Sequence, residues 1–152
     1  QLVYNLHMRL RCNGVRIIGS GSSISKNSVT NDLLWPETAE WVELRLGIKE
    51  RSHLRSDELL IDIIEEAALE ALQMSKLAPG DLDAIIIATS TPDYINPSMA
   101  TILHGRLGAK TSCASFDLQA VCAGFVYALG NVAALISSGA VRMTMMDWST
   151  MS

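Results

Sequence analysis

A continuous run of apolar and β-branched residues, Asp83-Ala-Ile-Ile-Ile-Ala-Thr-Ser90, constrains the fold of this chain more than any other segment. No polar residue interrupts the middle of the run, so neither of its faces is suited to water. Strands of this kind are typical of parallel or mixed sheets that are covered by helices on both faces. The run therefore predicts a central strand of an α/β protein.

Helical and strand patterns alternate along the rest of the chain. The clearest helix spans residues 56–76, because it carries an apolar stripe at three-to-four spacing and is followed by Pro79-Gly80. Alternating strands and helices predict a layered α/β fold. The other predicted helices are 38–46, 97–107 and 123–138, the other predicted strands are 14–22, 115–119 and 141–146, and residues 20–36 and 49–55 are expected to be a loop and a connector.

Composition excludes several classes of protein. Of the 152 residues, 49% are hydrophobic and only 18% are charged, which is incompatible with a disordered chain. A net charge of −4 repels nucleic-acid backbones, and 5% aromatic residues leave little for base stacking, so no nucleic-acid partner is expected. The apolar excess also predicts either a large interface with another chain or the absence of a part that would cover this surface.

The location of the protein is predicted from its cysteines and its apolar segments. No apolar stretch reaches the roughly eighteen residues that a membrane-spanning helix requires. Residues 1–13 lack the features of a signal peptide. Cys12, Cys113 and Cys122 are odd in number and form no CxxC pair, which suits a reducing compartment. We expect a cytoplasmic protein without a membrane contact, a disulfide or a structural zinc site.

Cys122 is the strongest candidate for chemistry. It stands between a predicted strand and a predicted helix, in Gln119-Ala-Val-Cys-Ala-Gly-Phe125. A thiol at a helix N-terminus lies near free backbone N–H groups and the positive end of the helix dipole, and both favour the thiolate. The two small residues that follow leave room for a substrate, as at a nucleophile on a tight turn. The alternative is a buried structural cysteine.

Several motifs resemble one known family. The segment Phe116-Asp-Leu-Gln-Ala-Val-Cys-Ala-Gly-Phe-Val-Tyr-Ala-Leu129 resembles the active-site segment of the β-ketoacyl-(acyl carrier protein) synthases III, which belong to the thiolase superfamily. Other similar motifs follow the order of that family over about residues 14–142. They are Arg16-Ile-Ile-Gly-Ser-Gly21, Glu40-Trp-Val-Glu-Leu-Arg-Leu-Gly-Ile-Lys-Glu-Arg51, Ile85-Ile-Ile-Ala-Thr-Ser90, Asn96-Pro-Ser98 and Ser138-Gly-Ala-Val-Arg142.

The resemblance implies an acyltransferase. Cys122 would attack the thioester of an acyl-CoA, form an acyl-enzyme and release CoA. A malonyl group on an acyl carrier protein would then lose CO2 and attack the acyl-enzyme, which would initiate fatty acid or related acyl-chain synthesis. The backbone N–H of the cysteine would be one oxyanion donor. Acyl-CoA is a substrate in this scheme, so no cofactor is expected.

Trp41 and Arg45 match the residues that flank the CoA nucleotide in the family. An indole face can stack on adenine, and a guanidinium one helical turn away can cover it or bind phosphate. Judged by the residues alone, Trp41 is an amphipathic surface residue and Arg45 an ordinary solvated cation. The resemblance favours the CoA site.

Asn96 falls where acetyl-preferring members of the family carry a Phe that caps the acyl pocket across a dimer interface. A smaller polar side chain at this place suggests an altered acyl pocket. The alternative is an ordinary loop residue before Pro97.

The remaining candidates for a functional role are weaker. Gly19-Ser-Gly21 follows a predicted strand but lacks the third glycine of a dinucleotide-binding loop. Asp93 and Asp117 are interpreted as a loop residue and a strand-end residue. No metal site is expected, because the histidines have no ligand spacing between them; they are His7, His53 and His104.

The resemblance covers only part of the family fold. The family has a duplicated, layered α-β-α thiolase-like fold of about twice this length, and its second half carries the active-site His and Asn. The sequence is therefore interpreted as an N-terminal extension, residues 1–13, and an N-terminal half-domain, residues 14–152. We expect this half to be incompetent for condensation by itself, and to form a homodimer or higher oligomer through its exposed sheet face. The alternative function is a non-catalytic thiolase-like subunit that acts through a partner chain.

Overall fold

A computed structural model describes residues 14–148 of the chain. The proposed extension, residues 1–13, and the last four residues lie outside this range. The helices in it are α1 (Asn31–Leu34), α2 (Ala39–Leu46), α3 (Leu60–Ser75), α4 (Met99–Leu107) and α5 (Gly124–Ser137), and the strands are β1 (Ser28–Thr30), β2 (Glu50–Ser52), β3 (Ala84–Ala88), β4 (Ala114–Leu118) and β5 (Thr144–Trp148).

The main sheet has three parallel strands in the order β4-β3-β5. Ile86 of β3 is in register with Phe116 of β4 on one side and with Met146 of β5 on the other. All five residues of β3 are buried. The predicted central strand is therefore confirmed, and its two neighbours lie within residues 114–118 and 144–148.

Helices cover both faces of the sheet because the side chains of β3 alternate between two cores. Ile85 and Ile87 belong to the larger core, which α3 and α4 complete. Ile86 and Ala88 belong to the smaller core on the opposite face, which α5 completes. This arrangement is the layered α-β-α fold that was expected, and it explains why the strand sequence is apolar without interruption.

The segments that were expected to be a loop and a connector contain regular structure. β1 pairs with β2 in an antiparallel ladder, and α1 follows β1 directly. Buried Asn31 holds this unit together: its side-chain Nδ2 donates to the carbonyl of Ile48 at 2.6 Å, and its Oδ1 accepts from Arg51 Nη1 at 2.6 Å. The prediction was wrong for residues 28–34 and 50–52, because these partners are far apart in the chain.

The strand predicted over residues 14–22 is also absent. This segment lies along α3 instead, and we call residues 19–25 the Gly/Ser strap. Gly19 and Gly21 lie so close to the helix that a Cβ at either position would clash with the backbone of Ala71 or Ala67. A strap without side chains at these two positions can therefore lie directly on α3.

Hydrogen bonds from serines to glutamates fix the strap along the helix. Ser22 donates its backbone N–H to Glu70 at 2.8 Å. The hydroxyls of Ser23 and Ser25 donate to Glu66 and Glu58, each at 2.6 Å. The strap runs antiparallel to α3, and the backbone N–H of Ser22 is satisfied there rather than in the sheet.

Asp83 ties together the starts of the three parallel strands. Its carboxylate accepts from Lys110 Nζ at 2.5 Å, from the Arg142 N–H at 2.8 Å and from the Met143 N–H at 3.1 Å. The hydrogen bond from Lys110, followed by those two backbone donors, holds the pKa of the Asp83 carboxyl well below its usual range. Its ionised form is therefore favoured by folding.

We predict that Asp83→Asn destabilises the fold at pH 7 by roughly 1–3 kcal/mol, since charge-assisted bonds are lost. The stabilisation by Asp83 is present above the pKa of the unfolded chain, about 4, and is lost as the pH falls through the lower folded pKa. Urea unfolding should therefore show that the difference between the two proteins shrinks below about pH 4.

The matched control is Asp32→Asn, which alters an exposed carboxylate on α1. Its effect should stay within about 0.5 kcal/mol at either pH. Equal stability of Asp83→Asn and the parent protein at pH 7 would contradict the role given to Asp83.

Candidate active site

Cys122 lies on a tight turn between the central sheet and α5. β4 ends at Leu118, one turn of 3-10 helix spans Val121–Ala123, and α5 begins at Gly124. The Cys122 thiol is exposed, which is not the environment of a structural core cysteine. Cys113, in contrast, is buried, and burial raises the pKa of its thiol. Of the two, Cys122 is the one that a reagent in solution can reach.

The backbone just before Cys122 is strained. Val121 has a φ of 47°, in the left-handed region that a β-branched residue rarely adopts. The side chain of Val121 is 62% exposed, so no burial of the side chain compensates for this conformation. Strain of this kind persists only where the surrounding structure imposes it, and it is concentrated at functional turns.

Gly124, the first residue after the turn, allows the turn to be tight. It is buried, and a Cβ there would lie 3.3 Å from the Ala88 Cβ and 3.3 Å from Trp148 Cδ1. The absence of a side chain lets the first turn of α5 approach the ends of β3 and β5. The chain then has five residues in which to leave β4 and enter α5, and Cys122 is the fourth of them.

A loop at the same end of the sheet forms a small cavity of about 340 Å³. The cavity is lined by Thr89 after β3, by Tyr94 and Ile95 of the loop, and by Asp117 and Gln119 at the end of β4. Asn96 follows Ile95 directly and is exposed, with a cis peptide bond to Pro97. The residue proposed for the acyl pocket therefore lies beside this cavity rather than in its lining.

Two aspartates anchor the loop at its ends. Asp93 accepts from the backbone N–H groups of Leu60 at 3.0 Å and Ile61 at 2.8 Å, which caps α3. Asp117 accepts from those of Met99 at 2.7 Å and Ala100 at 2.8 Å, which caps α4. Both were predicted to be ordinary residues, Asp93 of a loop and Asp117 of a strand end. Each caps a helix that lies elsewhere in the chain, and no local sequence signal reveals such a pairing.

Trp41 and Arg45 lie on the outer surface of α2, one helical turn apart. Trp41 is 58% exposed and Arg45 is exposed, with no ion pair or side-chain hydrogen bond among residues 14–148. Both are free to contact a ligand. Neither residue lines the cavity beside the loop, so the structure does not join them to Cys122 through a described cavity.

Two further findings concern ligands and membranes. Within residues 14–148, no three His, Cys, Asp or Glu side chains are grouped so as to hold a metal ion. No helix in the same part of the chain has the length and apolar character needed to cross a membrane.

The chain is similar to proteins of one family. The family model for 3-oxoacyl-[acyl-carrier-protein (ACP)] synthase III matches residues 116–146, which include Cys122. The beta-ketoacyl-[acyl-carrier-protein] synthase III of Neisseria meningitidis strain FAM18 is 44% identical over 130 residues, which are 84% of this chain and 41% of that protein. The corresponding protein of Neisseria gonorrhoeae strain FA 1090 is 45% identical over the same length. The chain is thus similar to the N-terminal part of the synthases III.

Solved structures agree with this assignment. The 3-oxoacyl-[acyl-carrier-protein] synthase III of Aquifex aeolicus VF5 superposes with a TM-score of 0.82 at 38% identity, over 90% of this chain and 45% of that one. The priming beta-ketosynthase of the R1128 polyketide pathway gives a TM-score of 0.79 at 30% identity, over 89% of this chain and 41% of that one. The fold of this synthase III-like chain is thus thiolase-like, as expected. The chain spans about 41% of the length of the curated relatives.

We predict that Val121→Gly stabilises the protein. Glycine adopts a left-handed φ without the steric penalty, which for other residues is about 1–2 kcal/mol, and the greater freedom of glycine in the unfolded chain offsets part of the gain. The net increase in the free energy of unfolding should be about 0.5–1 kcal/mol by urea titration.

Val121→Ala is the matched control, because alanine removes the β-branch but retains the Cβ. It should recover less stability than glycine does. Glycine and alanine variants of equal stability would show that Val121 is not held in the left-handed conformation.

Proposed function

We propose that this chain supplies the acyl-accepting nucleophile of a β-ketoacyl-(acyl carrier protein) synthase III reaction. The observation that carries the proposal is the exposed Cys122 thiol on a strained turn at the N-terminus of α5, within the segment matched by the family model. Two relatives that are 44% and 45% identical to this chain are named for this synthase activity.

The first step is the transfer of an acyl group to Cys122. The thiolate sulfur attacks the thioester carbonyl carbon of an acyl-CoA, and a carbon–sulfur bond forms. The bond to the CoA sulfur then breaks, and CoA leaves as a thiol after taking up a proton. The exposed position of Cys122 supports this step, because the thioester of a large substrate can approach it. No cofactor takes part.

The second step is proposed for the whole protein. A malonyl group on an acyl carrier protein loses CO2, and its carbanion equivalent attacks the acyl-enzyme to give a β-ketoacyl thioester. The family places the His and Asn for this step in its second half, which lies beyond the part of the relatives that this chain spans. Residues 1–152 are accordingly assigned the acylation step only.

Trp41 and Arg45 are proposed to bind the nucleotide of CoA. Their support is their spacing of one helical turn on α2, their exposure and the absence of another partner for the Arg45 guanidinium within residues 14–148. The indole offers a face for adenine, and the guanidinium offers donors for phosphate.

The exposed apolar side chains around α5 support contact with another chain. Val126 and Tyr127 of α5 are 68% and 54% exposed, and Trp148 of β5 is 46% exposed. Exposed apolar patches of this kind mark interaction sites. We propose a homodimer or higher oligomer in the cytoplasm, the compartment that the cysteine usage favours. The same surface favours the second candidate function, a non-catalytic thiolase-like subunit that acts through a partner chain.

Acylation of Cys122 distinguishes the acyltransferase from the non-catalytic subunit. We expect that incubation with acetyl-CoA, or with longer acyl-CoAs, adds one acyl group per chain, measured as an intact-mass increase. Cys122→Ala should abolish the adduct, and Cys113→Ala, the matched control, should retain it because Cys113 is buried. An unmodified parent protein, or an adduct that persists in Cys122→Ala, would favour the subunit role.

Asn96 is proposed to influence the length of the acyl group, since it lies next to Ile95 in the loop beside the small cavity. In an intact enzyme, Asn96→Phe should fill space with a larger apolar side chain and shift the preference toward shorter acyl-CoAs. Asn96→Ala is the control for loss of the amide alone. Competition between acetyl-CoA and octanoyl-CoA measures the shift. An unchanged ratio of the two acyl products would contradict a role of Asn96 in the acyl pocket.

A further inference from the structure

The guanidinium of Arg51, on β2, contacts both ends of the short helix α1. Its Nη1 donates to Oδ1 of buried Asn31, the first residue of α1, at 2.6 Å. Its Cζ lies over the ring of Trp35, the residue after α1, at 4.9 Å from the ring centre. Arginine can make both contacts at once because its donors lie in the plane of the guanidinium and leave the faces of that plane free.

Asn31, the first of these partners, is held by the backbone that leads into β2. Its side-chain Nδ2 donates to the carbonyl of Ile48 at 2.6 Å, and its backbone N–H donates to the carbonyl of Lys49 at 3.2 Å. An amide whose nitrogen and oxygen are both bonded is fixed in one orientation. The hydrogen bond from Arg51 to Asn31 therefore fixes the position of the guanidinium relative to α1.

Trp35, the second partner, leads directly into α2. Its backbone N–H donates to the carbonyl of Asn31 at 2.7 Å, and its own carbonyl accepts from the N–H of Thr38 at 3.0 Å. The carbonyl of Thr38 then accepts from the N–H of Val42 in α2 at 2.9 Å. Pro36 restricts the backbone between these residues. A change in the position of Trp35 would therefore move the start of α2.

The packing around the main sheet does not by itself hold α2 in place. Of the eight residues of α2, only Ala39 and Val42 are buried, and neither belongs to the two described cores on the faces of β3. The ion pair between Lys49 and Glu43, 3.5 Å long, is exposed and contributes little because water screens it. The orientation of α2 therefore depends on the segment around Trp35.

α2 carries Trp41 and Arg45, the two residues proposed to bind the nucleotide of CoA. We infer that Arg51 is a positioning residue for that site, because it holds Trp35, and with it α2, in the orientation in which Trp41 meets adenine and Arg45 meets phosphate. This inference rests on the nucleotide-binding role proposed for Trp41 and Arg45. If only a fraction of the molecules hold α2 in that orientation, the dissociation constant of the nucleotide rises by the inverse of the fraction.

The test is calorimetric titration of the 152-residue protein with adenosine 3′,5′-bisphosphate, which is the nucleotide end of CoA without a thioester. We expect Arg51→Lys to raise the dissociation constant about fivefold, because an ammonium group cannot both bond Asn31 and cover the Trp35 ring. Trp35→Leu should have a similar effect, since it removes the ring and leaves the bond to Asn31 in place. Trp35→Phe should retain most of the affinity, because it keeps an aromatic face.

A second measurement distinguishes positioning of α2 from a general loss of structure. In Arg51→Lys, the half-saturating concentration of acetyl-CoA for acylation of Cys122 should rise about fivefold while the maximal rate stays the same. The acetyl thioester of N-acetylcysteamine, which lacks the nucleotide, should acylate this variant at the rate of the parent protein. Lys26→Gln is the matched control, because it removes an exposed cation and leaves the contacts of Arg51 intact; it should change neither measurement.

Three results would overturn the inference. If Arg51→Lys and Trp35→Leu bind the bisphosphate as tightly as the parent protein while Trp41→Ala binds it more weakly, the nucleotide site stands and only the role of Arg51 is rejected. Equal losses of rate with acetyl-CoA and with the truncated thioester would show that Arg51 supports the fold in general. A parent protein that does not bind the bisphosphate would reject the nucleotide role of Trp41 and Arg45, and the inference with it.

Discussion

The packing of β3 between two helical layers determines the positions of all the other main elements. Ile85 and Ile87 contribute to the core with α3 and α4, and Ile86 contributes to the core with α5. Because a strand buried on both faces has its polar groups satisfied only in the plane of the sheet, β3 is flanked by β4 and β5 in parallel. The carboxyl ends of the three strands therefore meet at one edge, and the Cys122 turn lies there.

Aspartates join parts of this frame that are distant in the chain. Asp83 binds the segment before β5 and the side chain of Lys110, Asp93 caps α3, and Asp117 caps α4. Each carboxylate accepts at least two donors, so each is fixed in place. Asp117 also lines the small cavity, and it precedes Cys122 by five residues. It therefore links the position of the loop around Asn96 to the strand that leads to the nucleophile.

The elements that could be predicted are those whose signal is local. The apolar run of β3, the stripe of α3 and the left-handed Gly47 and Gly108 that end α2 and α4 are readable from neighbouring residues. The prediction of a strand over residues 14–22 was wrong. Glutamates on α3 bind part of this segment, and only the fold brings them close to it.

The same distinction between local signals and distant contacts applies to the residues of the candidate site. Cys122 was predicted from a motif and its position before a helix. The left-handed Val121, the buried Gly124 and the anchoring aspartates depend on contacts across the sheet. Trp41 and Arg45 were predicted through a family motif, and their exposure on α2 is a property of packing that the sequence of a short helix does not reveal.

The central claim is that the fold presents the Cys122 sulfur to solvent while it encloses that of Cys113. The most direct measurement is the rate at which iodoacetamide modifies each cysteine in the native protein, followed by peptide mass mapping. We predict that Cys122 reacts first and that Cys113 becomes modified only when urea unfolds the chain. Modification of Cys122 no faster than that of Cys113, with both rates rising together on unfolding, would contradict the account.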